Sequence, residues 1–144
     1  MSFMAPAMVY LETTVLSYLT ARDARDEIIA AHQRVTRTWW ESQRQHYHLV
    51  ASAIVVREAS AGDPEVAAKR LALIADCDLL QITDAVDALA AVLLARGLVP
   101  ATVPNDALHI AVATVGCAGS NRSFADWGMN HRPFARPRSC CHDR

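Results

Sequence analysis

Glycine is scarce in this 144-residue chain, which has only five. None of them forms a Walker A loop or a dinucleotide fingerprint, and no G-x-S-x-G elbow or H-E-x-x-H is present. Common NTPase, Rossmann-cofactor, serine-hydrolase and zincin chemistries are thereby set aside. Long apolar runs are also missing. No window reaches the roughly 18 uninterrupted apolar residues that a bilayer crossing needs, and residues 1–8 carry no basic stretch, so the expectation is a cytoplasmic protein with no membrane partner. Neither sign of charge dominates: 14 Lys and Arg stand against 15 Asp and Glu, a net charge of −1. That balance argues against polybasic binding of nucleic acid, but not against an enzyme that meets nucleic acid through metal ions. Cysteine is sparse and wrongly spaced for zinc. Cys77, Cys117, Cys140 and Cys141 contain no C-x-x-C pair, which excludes a zinc knuckle and makes a disulfide framework unexpected. Cys77 and Cys117 read as small core fillers, and the Cys140-Cys141-His142 run reads as an accident of an arginine-rich end.

What the chain does have is 52% apolar residues and an alternation of short apolar runs with longer helical patterns. The run at 9–11 predicts a buried first strand, followed by a helix capped by Thr13 or Thr14 with Val15, Leu16, Tyr18 and Leu19 inward. A long helix is expected over 26–44, burying Ile28, Ile29, Ala31, Val35 and Trp39, with Trp40 as a further inward candidate and Arg34, Arg37, Glu41 and Arg44 outward. Residues 47–51 read as a second strand, Ser52 as the cap of a short helix carrying Glu58, and Gly62 as its left-handed stop. Asp63-Pro64 opens another helix, 79–82 is a third strand, and Thr83 or Asp84 caps a helix ended by Gly97. After a loop with two prolines, Asn105-Asp106 precedes a buried helix that ends at Gly116. This order predicts a parallel sheet covered by helices on both faces, with a functional crevice at the carboxyl ends of the strands where strand order reverses.

Composition changes after residue 118. Residues 119–144 contain no Val, Ile or Leu and hold five Arg against two Asp, whereas 1–118 carry nine basic against thirteen acidic residues. We therefore divide the chain into a domain core, 1–118, and an atypical basic segment, 119–144, expected to be partly docked or disordered.

Three acids hold the positions where chemistry is expected. Glu12 follows the first strand directly, and Thr13 and Thr14 add hydroxyls able to hold its carboxylate. Glu58 lies on an apolar short helix after the second strand, and Asp106 stands at the entrance of the late helix. Each has a simpler role available: Glu12 as a complement to a helix dipole, Glu58 as a solvated helix acid, Asp106 as an N-cap. Together they suit a hard divalent cation, Mg²⁺ or Mn²⁺, which prefers carboxylate oxygens and can activate water against a phosphodiester. His109, three residues after Asp106, fits either the cleft or, more simply, the core or an interface. Trp39 and Trp40 read as core and dimer contact rather than a base-stacking platform.

Residues 9–19 (VYLETTVLSYL), 52–64 (SAIVVREASAGDP) and 105–113 (NDALHIAVA), in this order, resemble a PIN-domain protein of the VapC toxin type, from type II toxin–antitoxin modules. The resemblance covers roughly residues 8–118. It implies a three-layer α/β sandwich with a central, mostly parallel sheet of about four strands and helices on both faces. It further implies a metal-dependent endoribonuclease with Glu12, Glu58 and Asp106 as catalytic metal ligands, Thr13 in support, and Mg²⁺ or Mn²⁺ as cofactor. RNA would be the substrate, a small antitoxin protein the inhibitor, and a homodimer the assembly. Many members have Asp where this chain has Glu12. The family's late strand ends in a hydroxyl residue and an acid or amide; the nearest stretch here is 124–131, where Gly128 takes the amide position and Asp126 and Asn130 are the supporting candidates. A second expectation is a catalytically impaired PIN-like module that binds an antitoxin or RNA without cutting. A phospho-acceptor switch fits less well, because only Glu12 stands after strand one.

Overall fold

The computed structural model describes residues 6–118. Asp126, Asn130 and the basic segment 119–144 lie outside the described residues, so the expectations placed on them are not addressed by it. The element order is β1 (Met8–Tyr10), α1 (Thr13–Thr20), α2 (Glu27–Ser42), a single 3₁₀ turn (Arg44–His46), β2 (His48–Ser52), α3 (Ala53–Ala59), α4 (Pro64–Leu73), β3 (Asp78–Leu80), α5 (Asp84–Ala95) and α6 (Pro104–Ala118). No helix among the described residues is long and apolar enough to cross a membrane.

The three strands form one parallel sheet in the order β1-β2-β3, with Val9 opposite Leu49 and Ala51 opposite Leu79. About four strands were expected, and three are found among the described residues. Among the described residues strand order follows chain order, so no reversal there marks the crevice. The period-2 alternation of β2 divides the core between two faces. Val50 packs with Leu80, Val86, Ala90, Ala107, Ala111 and Val112, on the side of α5 and α6. Ala51 packs with Leu11, Leu16, Trp40, Val55 and Ile74, on the side of α1, α2 and α4. The fold is thus α/β with helices on both faces of the sheet. Helix α3 sits where the two faces meet, sending Ile54 to one and Val55 and Ala59 to the other.

Local signals place most helix ends. Asp26 and Asp63 accept the first amides of α2 and α4, and Pro64 occupies the first position of α4. Gly97 takes the left-handed conformation with φ +64° just past α5. Helix α6 begins at Pro104, so Asp106 lies inside its first turn rather than at a cap. Nor does Gly116 end that helix. A Cβ there would lie 2.6 Å from Leu80 Cδ1, so this glycine permits close approach of α6 to β3.

The inward face of α2 differs from the expected one. Ile28 and Val35 are 68% and 69% exposed and Ile29 is also exposed, while Gln33, not expected inside, is buried beside the expected Trp40. The cause is polar. Gln33 accepts from the Ala24 amide and donates to the Arg22 carbonyl, and Arg37 bonds Asp23 and the Ala21 carbonyl. These contacts satisfy the backbone of the α1–α2 connection and turn the Gln33–Trp40 face inward, since buried polar groups need partners. A hydrophobic stripe alone did not decide the rotation.

Candidate metal centre

The carboxyl ends of β1 and β2 lie side by side, and each delivers the chain directly into a helix. Leu11 continues the ladder by one hydrogen bond, to the Val50 carbonyl at 2.8 Å, and the next residue is Glu12. Glu12 takes the N-cap position of α1 but makes no side-chain capping bond. Its carboxylate instead accepts from the Thr14 hydroxyl at 3.0 Å. The carboxylate is thus held by a side chain of the first turn rather than by the helix amides.

Ser52 ends β2 and caps α3 through the Val55 amide, and α3 carries Glu58 back over the same edge of the sheet. Three donors hold the Glu58 carboxylate. Thr13 Oγ1 donates to Oε2 at 2.5 Å, Asn105 Nδ2 donates to Oε1 at 2.9 Å, and His109 Nε2 lies 3.0 Å from Oε2. These donors come from α1 and from the first turns of α6, so one carboxylate ties three helices together. Burial pushes the Glu58 carboxyl up. The hydrogen bonds from Thr13 and His109, the His109 charge when protonated, and the Asn105 amide outweigh it and hold the group below its ordinary range.

His109 is buried, at 7% exposure, on the face of α6 turned to the sheet. Its Nδ1 lies 2.8 Å from the Tyr10 hydroxyl, which lies 2.8 Å from Ser52 Oγ. Burial pushes the Tyr10 hydroxyl up; the Ser52 hydrogen bond opposes this and the charges of Glu58 and Glu12 reinforce it, so Tyr10 stays protonated.

Glu12, Glu58 and His109 each place a ligand atom within 4.8 Å of the others. Two carboxylates at such separation repel, and a cation held by them removes that cost, with the His109 imidazole beside them. The donor set fits a divalent metal ion. Of the three acids expected from sequence, Glu12 and Glu58 are brought together here. Asp106 is not part of the three-residue group; it is exposed on the first turn of α6, one turn before the buried His109. Thr13, expected to support Glu12, bonds Glu58 instead, and Thr14 is the hydroxyl on Glu12.

Sequence reasoning undervalued His109 and did not single out Asn105, Tyr10 or Ser52 for the site. The three-residue spacing from Asp106 to His109 was the available signal for the histidine. For Tyr10 and Asn105 no local signal exists, because their partners lie 99 and 47 residues away. No protein-family model, curated protein or solved structure matches the chain.

Proposed function

We propose that this protein is a metal-dependent endoribonuclease that hydrolyses RNA phosphodiester bonds. The observation that carries the reading is the convergence of Glu12, Glu58 and His109 within 4.8 Å at the carboxyl edge of a parallel sheet. That edge is where α/β folds place their reactive groups. Mg²⁺ or Mn²⁺ bound between the carboxylates would supply positive charge against a phosphodiester and lower the pKa of water. The chain's own residues do the rest. Glu12 and Glu58 would hold the ion, with Thr14 orienting the first carboxylate and Thr13, Asn105 and His109 the second. Asp106, exposed on the same end of α6, would add a negative charge at the rim. The resemblance of residues 9–19, 52–64 and 105–113 to PIN-domain toxins supports the choice of RNA.

The test is cleavage of an RNA panel by the purified chain with Mn²⁺, Mg²⁺ or EDTA, alongside Glu58→Gln and Asp106→Asn. Cleavage should require metal and fall at least about a hundredfold in Glu58→Gln, the scale of losing a principal electrostatic group. Activity in EDTA, or undiminished in both variants, would overturn the assignment. A folded chain that binds Mn²⁺ and RNA and cuts none of the panel would leave the non-cleaving binding module as the better reading.

A further inference from the structure

We propose that Tyr10 sets the metal preference of this centre, by holding His109 as a hydrogen-bond donor to Glu58 and so keeping its Nε2 lone pair away from a cation. The inference rests on the metal-centre part of the reading above and not on RNA.

The direction of the hydrogen bonds follows from counting donors and acceptors. Ser52 is fully buried, and its hydroxyl meets two groups among the described residues, the Val55 amide at 3.5 Å and the Tyr10 hydroxyl at 2.8 Å. An amide only donates, so Ser52 Oγ accepts there and its own proton goes to Tyr10. Tyr10, accepting from Ser52, turns its proton to its other neighbour, His109 Nδ1, at 2.8 Å. Nδ1 is then an acceptor, and the ring proton sits on Nε2, where it meets Glu58 Oε2 at 3.0 Å. Every group in this chain of four residues is satisfied.

The opposite tautomer is penalised twice. With the proton on Nδ1, His109 donates to Tyr10 and Tyr10 to Ser52, which leaves the Ser52 proton with no acceptor in a place without solvent contact. The Nε2 lone pair would also face a carboxylate oxygen. A doubly protonated ring meets the first objection as well. A histidine that ligates through Nε2 needs the Nδ1–H form, so the Ser52–Tyr10 relay opposes ligation by His109. The ion is then left with the oxygens of Glu12 and Glu58, which suit Mg²⁺ and Mn²⁺; Zn²⁺, which gains more from imidazole, is held back. Tyr10 is a positioning residue in this scheme, since it acts through His109 and touches no ligand oxygen.

The experiment uses the full chain. Long-range ¹H–¹⁵N spectra of metal-free protein, with His109→Gln for assignment, read the tautomer directly. Mn²⁺ binding by electron paramagnetic resonance, with Zn²⁺ as competitor, reads the preference. His109 should be in the Nε2–H form in the unaltered chain and should populate both forms in Tyr10→Phe. The ratio of Zn²⁺ to Mn²⁺ affinity should rise about tenfold in that variant, the scale of one stranded buried hydroxyl. Ser52→Ala leaves His109 Nδ1 as the partner of the Tyr10 hydroxyl, so Tyr10 still donates to it and the ratio should stay within about twofold. If Tyr10→Phe does not fold, the tautomer of the unaltered chain carries the test. An Nδ1–H ring in the unaltered chain, or an unchanged ratio in folded Tyr10→Phe, would overturn the proposal. If the unaltered chain binds no Mn²⁺, the metal reading fails with it, while the metal-free tautomer still reports on the relay separately.

Discussion

Two histidine–carboxylate pairs stand at opposite ends of β2, and both have the same N···O separation of 3.0 Å. His48, the first residue of the strand, meets Asp78 at the start of β3. Beyond the other end, His109 meets Glu58. The side chains of the first pair are 28% and 49% exposed, those of the second 8% and 26%. His48 lines a depression together with Trp40, Arg44, Tyr47 and Cys77. The Cys77 thiol there is pushed up to about 11 by burial and by the charges of Asp76 and Asp78, so it stays protonated and is a poor metal ligand. Around the His109 pair, a second carboxylate, two threonine hydroxyls, an amide and a tyrosine converge. A histidine–carboxylate contact of fixed length thus takes its role from its surroundings: water and screening at one end, a closed set of donors and a neighbouring acid at the other.

The largest test of that contrast is metal binding. Glu58→Gln should weaken Mn²⁺ binding by at least the roughly ten- to hundredfold that loss of an outer-shell partner costs. Asp78→Asn should change it by less than about twofold, since the exposed pair contributes nothing to the centre. Equal losses in the two variants, read by paramagnetic resonance, would erase the distinction between the ends.

Stability should separate them next. His109→Ala removes a buried ring and strips Glu58 and Tyr10 of a partner, an expected cost of about 2 to 3 kcal/mol in urea unfolding. His48→Ala breaks a partly exposed pair and should cost at most about 1 kcal/mol. A reversal of that order would mean that burial does not govern the two pairs.

The smallest expected effect is in the acid limb. The folded-state pKa of Glu58 lies below its ordinary value of 4.5, so its ionised form contributes stability that is present above that value and lost as pH falls through the folded pKa. Urea midpoints of the unaltered chain and Glu58→Gln should therefore converge as pH drops below 4.5. A gap that stays constant into acid would show that the carboxylate's hydrogen bonds do not favour its ionised form.

Much of the frame was legible beforehand because its causes are local. Asp26, Asp63 and Pro64 cap or open the helices they precede, and the three apolar runs became the three strands within one or two residues. Glu12 and Glu58 were legible as candidates because one follows the first strand directly and the other lies on the short helix after the second, which carries both to the carboxyl edge of the sheet. The rotation of α2 was not legible. Ile28 and Val35 lie on the stripe that hydrophobic periodicity favours, yet Gln33 and Arg37 decide the buried face through contacts with residues 21–24. The short pattern of polar residues between two helices gives no warning of that demand.

Sequence by itself determined that this is an α/β chain with parallel strands, that its helices start at Asp-, Ser- and Pro-marked positions, and that two acids end up beside a sheet edge. Those outcomes depend on propensity, capping and alternation, which act over a few residues. Tertiary structure alone decided that Thr13 supports Glu58 rather than Glu12, that His109 joins the acids, and that Tyr10 and Ser52 direct its protons. Hydrogen-bond direction in a buried network is set by every member at once, and these members come from β1, β2, α1, α3 and α6.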